Sequence, residues 1–281
     1  MTRELFSLWI GGSLSLYEQM CFASFVKSGY QVHLFTYENV KSVPAGVQIL
    51  DAREIVPIEN RWSNPGAGGS WADFSNQFRY RAIRETGFVW IDADVLAGKQ
   101  PITAIDGYVM GRESPEMVNG AVLGAPSTSN FLKQLEKKAE VPNLESYVWG
   151  SLGPRLITSV VEELDLLDKV QPSTAFYPVQ ACDSWKFFDP QSADELWEIE
   201  HSSSGIHLWN EEFRRARLPV KSFAPPTGSF LGQLLSRLEI AAEEIPRVGD
   251  SWGRKTWRHQ LNRNSSVVSK IINKTKIVVG L

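Results

Sequence analysis

The sequence predicts an α/β protein with a mostly parallel central sheet flanked by helices. Its 281 residues are 43% hydrophobic and 22% charged, the composition of a globular chain. A chain of this length buries enough surface to fold without disulfides or structural metals. Short β-rich runs alternate with helix-length segments, the pattern of strand–helix–strand units. One apolar run ends in Asp92 and Asp94, at the edge where ligands bind to such sheets.

The first three elements form a strand–helix–strand unit. Residues 5–10 predict a buried strand. Ser15 and Glu18 predict a capping box for a helix that ends near Gly29. Residues 31–37 alternate and are rich in β-formers, which predicts a second strand. Such a unit opens a parallel sheet.

The next elements lead to the aspartates. Residues 47–50 predict a short third strand. Ser70 and Asp73 are predicted to cap a helix that ends at Gly87. The strand at 88–91 then delivers the two carboxylates. The helix is predicted to turn these apolar side chains inward: Phe74, Phe78 and Ile83.

The second half of the chain is less regular. Strands are predicted at 108–110 and 120–123, and helices at 130–139 and 154–167. Pro154 favours a helix start, because a missing N–H costs nothing in the first turn. Residues 184–204 are aromatic and predicted to be irregular.

A single catalytic domain is predicted over 1–228, ending at a Pro-Pro-Thr-Gly turn. Residues 229–281 are predicted to form a helix of about fifteen residues and a basic tail. Residues 251–281 hold seven Lys or Arg and no Asp or Glu, so the tail carries +7 and the rest −10. Apolar pairs at helical spacing with interleaved lysines predict binding to an anionic membrane surface. Docking onto the acidic body of the protein is the alternative.

The composition also restricts location and partners. Cys21 and Cys182 lie far apart in apolar or aromatic surroundings and are predicted to be reduced core thiols, which fits a reducing compartment. No stretch reaches the ~18 apolar residues of a membrane span, and the N-terminus lacks a secretory h-region. We therefore expect a soluble cytoplasmic protein, peripheral on the inner face of the cell membrane. The acidic body and the lack of a known motif argue against nucleic acid as a partner.

Four side chains carry the predicted chemistry. Asp92 and Asp94 follow four apolar residues and suit a hard divalent cation that carries a phosphorylated ligand. Asn76 and Arg79 share one helix face, and a guanidinium matches phosphate or sugar oxygens. The alternative is a solvated turn beside a polar outer face. Together these residues predict transfer from a nucleotide-activated donor.

A series of motifs extends this interpretation. Five of them are Trp-Ile-Gly-Gly at 9–12, Phe-Ser-Asn-Gln-Phe-Arg-Tyr at 74–80, Ile-Asp-Ala-Asp-Val at 91–95, Phe-Tyr-Pro at 176–178 and His-Leu-Trp-Asn at 207–210. The others occupy residues 29–37, 43–44, 51–52 and 153–158. Over residues 5–215 the chain resembles the metal-dependent GT-A glycosyltransferases of family 32. That family includes bacterial surface-polysaccharide transferases and α-1,4-galactosyltransferase-like enzymes. The resemblance implies a GT-A, Rossmann-like fold.

The resemblance also implies a role for each candidate residue. The implied donor- and nucleotide-binding residues are Trp9, Ile10, Gly11, Tyr37, Asn76, Arg79 and Asp92. The implied catalytic residues are Asp92, Arg79 and Asn119. Asp94 would bind the metal most directly, Asp92 would touch ribose and donor sugar, and His207 would complete the metal or diphosphate site. Asn119 would face the reacting sugar, and residues 153–154 would shape the acceptor side.

The implied activity is a retaining transfer of a hexose, with galactose or glucose favoured, from a UDP-sugar to a cell-surface glycan or glycolipid, as in polysaccharide and lipopolysaccharide biosynthesis. Mn²⁺ or Mg²⁺ would bridge Asp94 and the diphosphate as a Lewis acid, and Arg79 would add fixed positive charge. The acceptor would attack from the face of the departing diphosphate. Many members have Asp where this chain has Asn76, a change that bears on donor choice.

Two other function classes stay open. A haloacid-dehalogenase-type phosphatase also ends a strand in Asp-x-Asp, and residues 248–251 resemble its later metal loop, although the expected second Asp is missing. A non-catalytic nucleotide-sugar-binding protein is suggested by Asn76.

The glycine-rich residues 63–70 lack the Lys-Ser/Thr of a phosphate-binding loop and are predicted to form a flexible lid. His33, inside a strand, is predicted to be structural.

Overall fold

The structure is a computed structural model, and it describes residues 4–63, 70–140, 151–215, 220–242 and 244–247. Most of the predicted glycine-rich lid, the 248–251 segment and the basic tail lie outside these residues, so the interpretations of them stay predictions. The chain divides into two compact units. The first comprises 1–180 and 198–207, and the second comprises 181–197 and 208–281.

The first unit contains all eight strands of the described residues. They are β1 (Glu4–Trp9), β2 (Gln31–Thr36), β3 (Val47–Asp51), β4 (Val89–Ile91), β5 (Val95–Ala97), β6 (Val109–Ser114), β7 (Met117–Gly124) and β8 (Gly205–His207). Six of them form a sheet in the order β3-β2-β1-β4-β7-β6. Strands β1 to β4 pair in parallel, whereas β7 runs antiparallel to β4 and to β6. The short strands β5 and β8 pair separately.

The described residues form seven α-helices, of which those in the first unit flank the sheet. The helices are α1 (Leu16–Lys27), α2 (Ala72–Thr86), α3 (Asn130–Lys138), α4 (Pro154–Glu163), α5 (Ala193–Ser202), α6 (Asn210–Arg215) and α7 (Phe230–Arg237). The apolar side chains of α2, α3 and α4 form one core with Phe6, Phe35 and Trp90 of the sheet. Helix α1 packs on β2 and β5. The predicted α/β class, with a mostly parallel sheet flanked by helices, is confirmed.

Local sequence signals set most helix ends. The capping box of α1 is present, with the backbone N–H of Ser15 donating to Glu18 Oε2 at 2.9 Å. Helix α2 ends at Gly87, whose φ of 72° is the left-handed conformation that glycine adopts without strain. The prediction that Ser70 caps α2 is wrong, because Trp71 occupies the cap position. The Ser70 hydroxyl accepts instead from the N–H of Ala72 at 3.2 Å.

Four other expectations are corrected. Residues 193–202, predicted to be irregular, form α5. Helix α4 stops at Glu163, before a left-handed Asp165 (φ 53°) that cannot continue a helix. Helix α7 has 8 residues, about half the predicted length. Both cysteines are free thiols, but only Cys21 is buried, whereas Cys182 is exposed.

The second unit holds part of the aromatic-rich segment. The Phe187 and Trp197 rings both pack on Phe230 of α7, with centroids 6.3 and 4.6 Å apart. Phe188 packs edge-on against Phe213 at 5.1 Å. These aromatic side chains therefore build a small core. None of the helices in the described part of the chain is long and apolar enough to cross a bilayer.

Candidate active site

The candidate site lies where the strand order of the sheet reverses. From β1 the chain adds β2 and β3 on one side and then returns to add β4 on the other. The parallel strands β1 and β4 are neighbours, with Leu5 opposite Val89 and Phe6 opposite Trp90. Trp9 and Asp92 therefore stand at or just beyond the carboxyl ends of adjacent strands. This is the position at which open α/β sheets bind ligands.

A tight turn and a short strand pair bring His207 to the aspartates. The N–H of Val95 donates to the carbonyl of Asp92 at 3.1 Å, which closes the turn that carries Asp94. Strand β5 then runs antiparallel to β8, so that Val95 lies opposite His207. His207 Nε2 lies 3.3 Å from Asp94 Oδ1. Asp92, Asp94 and His207, here called the DxD–His group, offer three ligand atoms that all lie within 4.8 Å of one another.

The Asp92 carboxylate is oriented by two N–H donors. Arg79 Nη2 donates to Asp92 Oδ1 at 2.9 Å, and Trp90 Nε1 donates to the same oxygen at 2.6 Å. The backbone N–H of Asp92 donates to the carbonyl of Ala121 at 2.7 Å. Because both side-chain donors converge on Oδ1, the carboxylate is held in one orientation. Its second oxygen remains available for a ligand.

Arg79 is buried between α2 and the sheet. Its Nη1 donates to the Gly120 carbonyl at 2.5 Å, and its guanidinium carbon lies 4.5 Å from the centre of the Trp90 ring. A Cβ on Gly120 would lie 2.7 Å from Arg79 Nη1 and 2.6 Å from Ile157, so only glycine fits there. Arg79 Nε is buried and has no hydrogen-bond partner among the described residues. An unsatisfied buried donor costs about 1–3 kcal/mol, which points to a role other than stability.

A bulge in β7 supplies further contacts. The β6–β7 register passes from Val109 opposite Gly124 to Gly111 opposite Asn119, which leaves extra residues in β7. The Asn119 side chain accepts from the N–H of Ala121 at 2.8 Å. The Tyr177 hydroxyl donates to the Asn119 carbonyl at 3.2 Å, and its oxygen also accepts from a bulge N–H, that of Val122. Bulges re-aim side chains beside sites of this kind.

The charges of the site perturb one another. Burial raises the pKa of Asp92 and the Asp94 charge raises it further, whereas Arg79 and His207 act in the opposite direction. For His207, burial by itself lowers the pKa. The charge and hydrogen bond of Asp94, with smaller effects from Asp92 and Glu113, outweigh burial and leave the imidazole pKa raised. A proton on His207 thus balances one carboxylate of the group.

The other predicted residues lie in varied surroundings. Trp9, Ile10 and Gly11 are half-buried at the end of β1. Asn76 is buried, with its amide beside Gly153, where an added Cβ would approach within 3.4 Å. These placements bring Trp9 and Gly153 next to elements of the site, and the donor-binding and acceptor-side roles of these residues stay predictions.

Tyr37 and His33 belong to the core of the fold. Tyr37 is buried, and its hydroxyl donates to the Val56 carbonyl at 2.8 Å. Burial raises the pKa of Tyr37 to about 12. His33 is buried and stacks on Phe88 at 4.7 Å between ring centres.

The sequence reasoning missed three contributors. Trp90 orients Asp92 through its indole N–H. Glu113 accepts from Asn119 Nδ2 at 2.5 Å. Tyr177 contacts the bulge and packs edge-on against His207, with ring centres 5.8 Å apart. Only Trp90, two residues before Asp92, left a local signal, since alternate strand residues share a face.

The DxD–His group fits a divalent metal ion by its donor chemistry. Carboxylate oxygens are the ligands of Mg²⁺ and Mn²⁺, and imidazole nitrogen is a common ligand of first-row transition metals. The three donors come from two separate segments that the fold holds together. The group is therefore a possible metal site, consistent with the metal-dependent transferases that the sequence resembles.

Comparisons with known proteins agree with this chemistry. A family model described as "Alpha 1,4-glycosyltransferase conserved region" matches residues 130–225, a span that includes Tyr177 and His207. Lactosylceramide 4-alpha-galactosyltransferase from Homo sapiens is 24% identical over 210 residues, 68% of this chain and 57% of that protein. The enzyme of the same name from Mus musculus is 26% identical over 161 residues, 53% of this chain and 44% of that protein. The chain thus spans about half the length of these two relatives.

Two further matches complete the comparison. The Pongo pygmaeus lactosylceramide 4-alpha-galactosyltransferase is 24% identical over 207 residues, 67% of this chain and 90% of that sequence. A solved structure, the PaToxG glycosyltransferase, aligns with a TM-score of 0.43 and 16% identity over 59% of this chain and 71% of that chain. The chain carries the alpha 1,4-glycosyltransferase conserved region over residues 130–225 and is distantly homologous to the lactosylceramide 4-alpha-galactosyltransferases.

Proposed function

We propose that this glycosyltransferase moves galactose or glucose from a UDP-hexose, with retention of configuration, to a hexose at the end of a cell-surface glycan or glycolipid. The observation that carries the proposal is the convergence of Asp92, Asp94 and His207 beside Arg79 at the end of β4. Carboxylates, an imidazole and a buried guanidinium together match a metal-bound diphosphate better than a neutral ligand.

Asp92, Asp94 and His207 would hold the divalent ion, for which Mn²⁺ is the first candidate because one ligand is an imidazole. The ion would supply Lewis-acid stabilisation of the departing diphosphate. Mg²⁺ is the second candidate, since it binds through carboxylates and substrate phosphates.

Arg79 would stabilise the charge that develops on the diphosphate. The C1–O bond of the donor sugar breaks as the acceptor hydroxyl forms a new bond to C1, and the acceptor proton passes to the departing diphosphate. Hydrogen bonds to Gly120 and Asp92 hold the guanidinium in place beforehand. Such preorganised charge is worth more in a water-poor site than in solution.

The names of the relatives support both the donor and the stereochemistry. The relatives are named for the transfer of galactose to lactosylceramide in an α linkage. UDP-galactose is itself an α-glycoside, so an α product means retention. A lactose-terminated glycolipid is therefore the first acceptor to test.

The phosphatase and binding-only alternatives lose support. The matched family and relatives are transferases. The segment 248–251, on which the phosphatase interpretation depends, lies outside the described residues.

The test measures UDP release from UDP-galactose and UDP-glucose with Mn²⁺, with and without a lactosyl glycolipid. An EDTA arm and a Mg²⁺ arm run in parallel. We expect acceptor-stimulated release from one donor that EDTA stops and Mn²⁺ restores. Release that persists in EDTA would contradict the metal assignment, and turnover of neither UDP-sugar with or without acceptor would contradict the proposed donor.

A further inference from the structure

Glu113 and Asn119 form a hydrogen-bonded pair beside the site. Asn119 Nδ2 donates to Glu113 Oε2 at 2.5 Å, while Asn119 Oδ1 accepts from the N–H of Ala121 at 2.8 Å. If the Asn119 amide were flipped, its NH₂ group would face the N–H of Ala121 and its oxygen would face the Glu113 carboxylate. The two hydrogen bonds therefore fix the orientation of the amide. The buried Asn119 side chain therefore keeps one further N–H as a donor.

The pair lies on the face of the six-stranded sheet against which Tyr177 packs. Gly111 pairs with Asn119 across the strands, so their side chains share a face. A Cβ on Gly111 would lie 3.3 Å from the Tyr177 ring, and that ring packs edge-on against His207. Arg79 approaches the other face, where a Cβ on Gly120 would meet it.

Glu113 is a half-buried carboxylate whose charge no basic side chain neutralises. Within the described part of the chain, Lys and Arg form no ion pair with Glu113, and the Asn119 amide is its single hydrogen-bond donor. The remaining lone pairs of the carboxylate are therefore open to another donor. Its negative charge disfavours a phosphate on this side and favours a neutral ligand rich in hydroxyl groups.

We propose that Glu113 and Asn119 bind a hexose ring, with the carboxylate accepting from one hydroxyl and the amide donating to a neighbouring hydroxyl oxygen. The proposal rests on the proposed function, which supplies two hexoses to this part of the site: the donor sugar and the terminal sugar of the acceptor. Phosphate binding belongs to the Arg79 side and hydroxyl binding to the Glu113 side. The bulge of β7 thus separates two kinds of ligand chemistry.

The first experiment compares UDP with UDP-galactose and UDP-glucose in Mn²⁺ by calorimetry. Glu113→Gln keeps the size of the side chain and an acceptor for Asn119 but removes the charge. We expect it to weaken binding of the UDP-hexose by about tenfold or more, the value of a hydrogen bond to a charged group, and to leave UDP binding unchanged. The control is Glu116→Gln, an exposed carboxylate on the same hairpin that accepts from Ser114.

The second experiment identifies which sugar the pair binds. If Glu113→Gln leaves UDP-hexose affinity intact but raises the KM of the lactosyl acceptor about tenfold, the pair binds the acceptor sugar. If both values match those of Glu116→Gln, the inference is overturned. Glu113→Asp, which keeps the charge on a shorter side chain, provides a second variant if Glu113→Gln fails to fold.

The two proposals fail in different ways. A wild-type protein that binds no UDP in Mn²⁺ contradicts the proposed donor and removes the basis of the inference with it. A wild-type protein that binds a UDP-hexose and turns it over, with Glu113→Gln unchanged in donor affinity and acceptor KM, contradicts the inference alone.

Discussion

Two arginines of helix α2, Arg79 and Arg84, lie in contrasting environments. Arg84 donates from Nε and Nη2 to the two carboxylate oxygens of Glu136 on α3, at 2.5 and 3.1 Å. Its side chain is 38% exposed. Arg79 is only 7% exposed, and it shares one oxygen of Asp92 with Trp90.

The difference lies in how completely each guanidinium is satisfied. Arg84 has near-ideal bidentate geometry at a small desolvation cost. Arg79 is buried, uses a backbone carbonyl as its second acceptor and leaves Nε without a partner among the described residues. Buried pairs seldom improve stability over apolar packing. Arg79 is therefore the less completely hydrogen-bonded of the two arginines, which supports its proposed role at the diphosphate.

The largest effect is expected from a substitution in the DxD–His group. Asp94→Asn removes a carboxylate of the DxD–His group and leaves both arginines in place. We expect kcat to fall by about 10³-fold or more, since metal stabilisation of the departing charge is worth several kcal/mol. UDP release and Mn²⁺ titration measure the loss, and an unchanged circular dichroism spectrum shows that the fold is intact. Near-normal turnover with full Mn²⁺ affinity would contradict the metal assignment.

The second prediction tests the two arginines directly. Arg79→Met should destabilise the protein by about 3 kcal/mol, because it leaves a buried carboxylate without its partner, and reduce kcat by about 10²–10³-fold. Arg84→Met, the matched control, should cost about 0–1 kcal/mol and leave turnover unchanged. Urea unfolding and steady-state kinetics give both values. Equal losses of stability and turnover in the two variants would contradict a special role for Arg79.

The third prediction acts on Arg79 through its neighbour. Gly120→Ala places a methyl group against Arg79 Nη1 and Ile157. We expect a loss of about 1–3 kcal/mol from overpacking and lower activity as the guanidinium shifts. Gly12→Ala is the stability control, since a Cβ there meets nothing within 4 Å. A thermal melt distinguishes the two, and equal melting temperatures would argue against the tight contact.

The smallest effect is a pH dependence that arises at His207, the imidazole beside Asp94. Since the pKa of His207 is raised above 6.5, metal must displace a proton from it at lower pH. Mn²⁺ affinity should fall about tenfold per pH unit below that pKa, with release of up to one proton. Calorimetry in buffers of different ionisation enthalpy measures the release. No release at pH 6 would mean that the imidazole is not a ligand.

The same pKa has a consequence for the metal-free protein. A raised folded-state pKa of His207 means that its contribution to stability is complete below the unfolded-state pKa and is lost as pH rises through the folded-state pKa. Metal-free protein should therefore lose this contribution as the solution becomes more alkaline, whereas the metal complex should gain affinity over the same range.

Local patterns predicted the parts of the site that lie close in sequence. The apolar run before Asp92, the helix that carries Arg79 and the left-handed Gly87 between them are short-range signals. Strand order then places Asp92 beside the end of β1. The carboxylate edge of the sheet could therefore be predicted from residues alone.

Contacts between distant segments could not be predicted in this way. The position of His207 came from a family resemblance, because the β5–β8 pairing has no signature in either three-residue strand. Glu113 and Tyr177 contact the site only because β7 bulges, and the bulge is a property of the strand pair, not of one strand.

The β5–β8 pairing also sets an order of events during synthesis. A nascent chain that has emerged only through β7 holds Asp92 and Asp94 as neighbouring like charges, because His207 does not yet exist. More than one hundred residues separate the paired Val95 and His207, so this contact can form only after most of the chain has been synthesised. An unfinished polypeptide therefore lacks the third member of the DxD–His group.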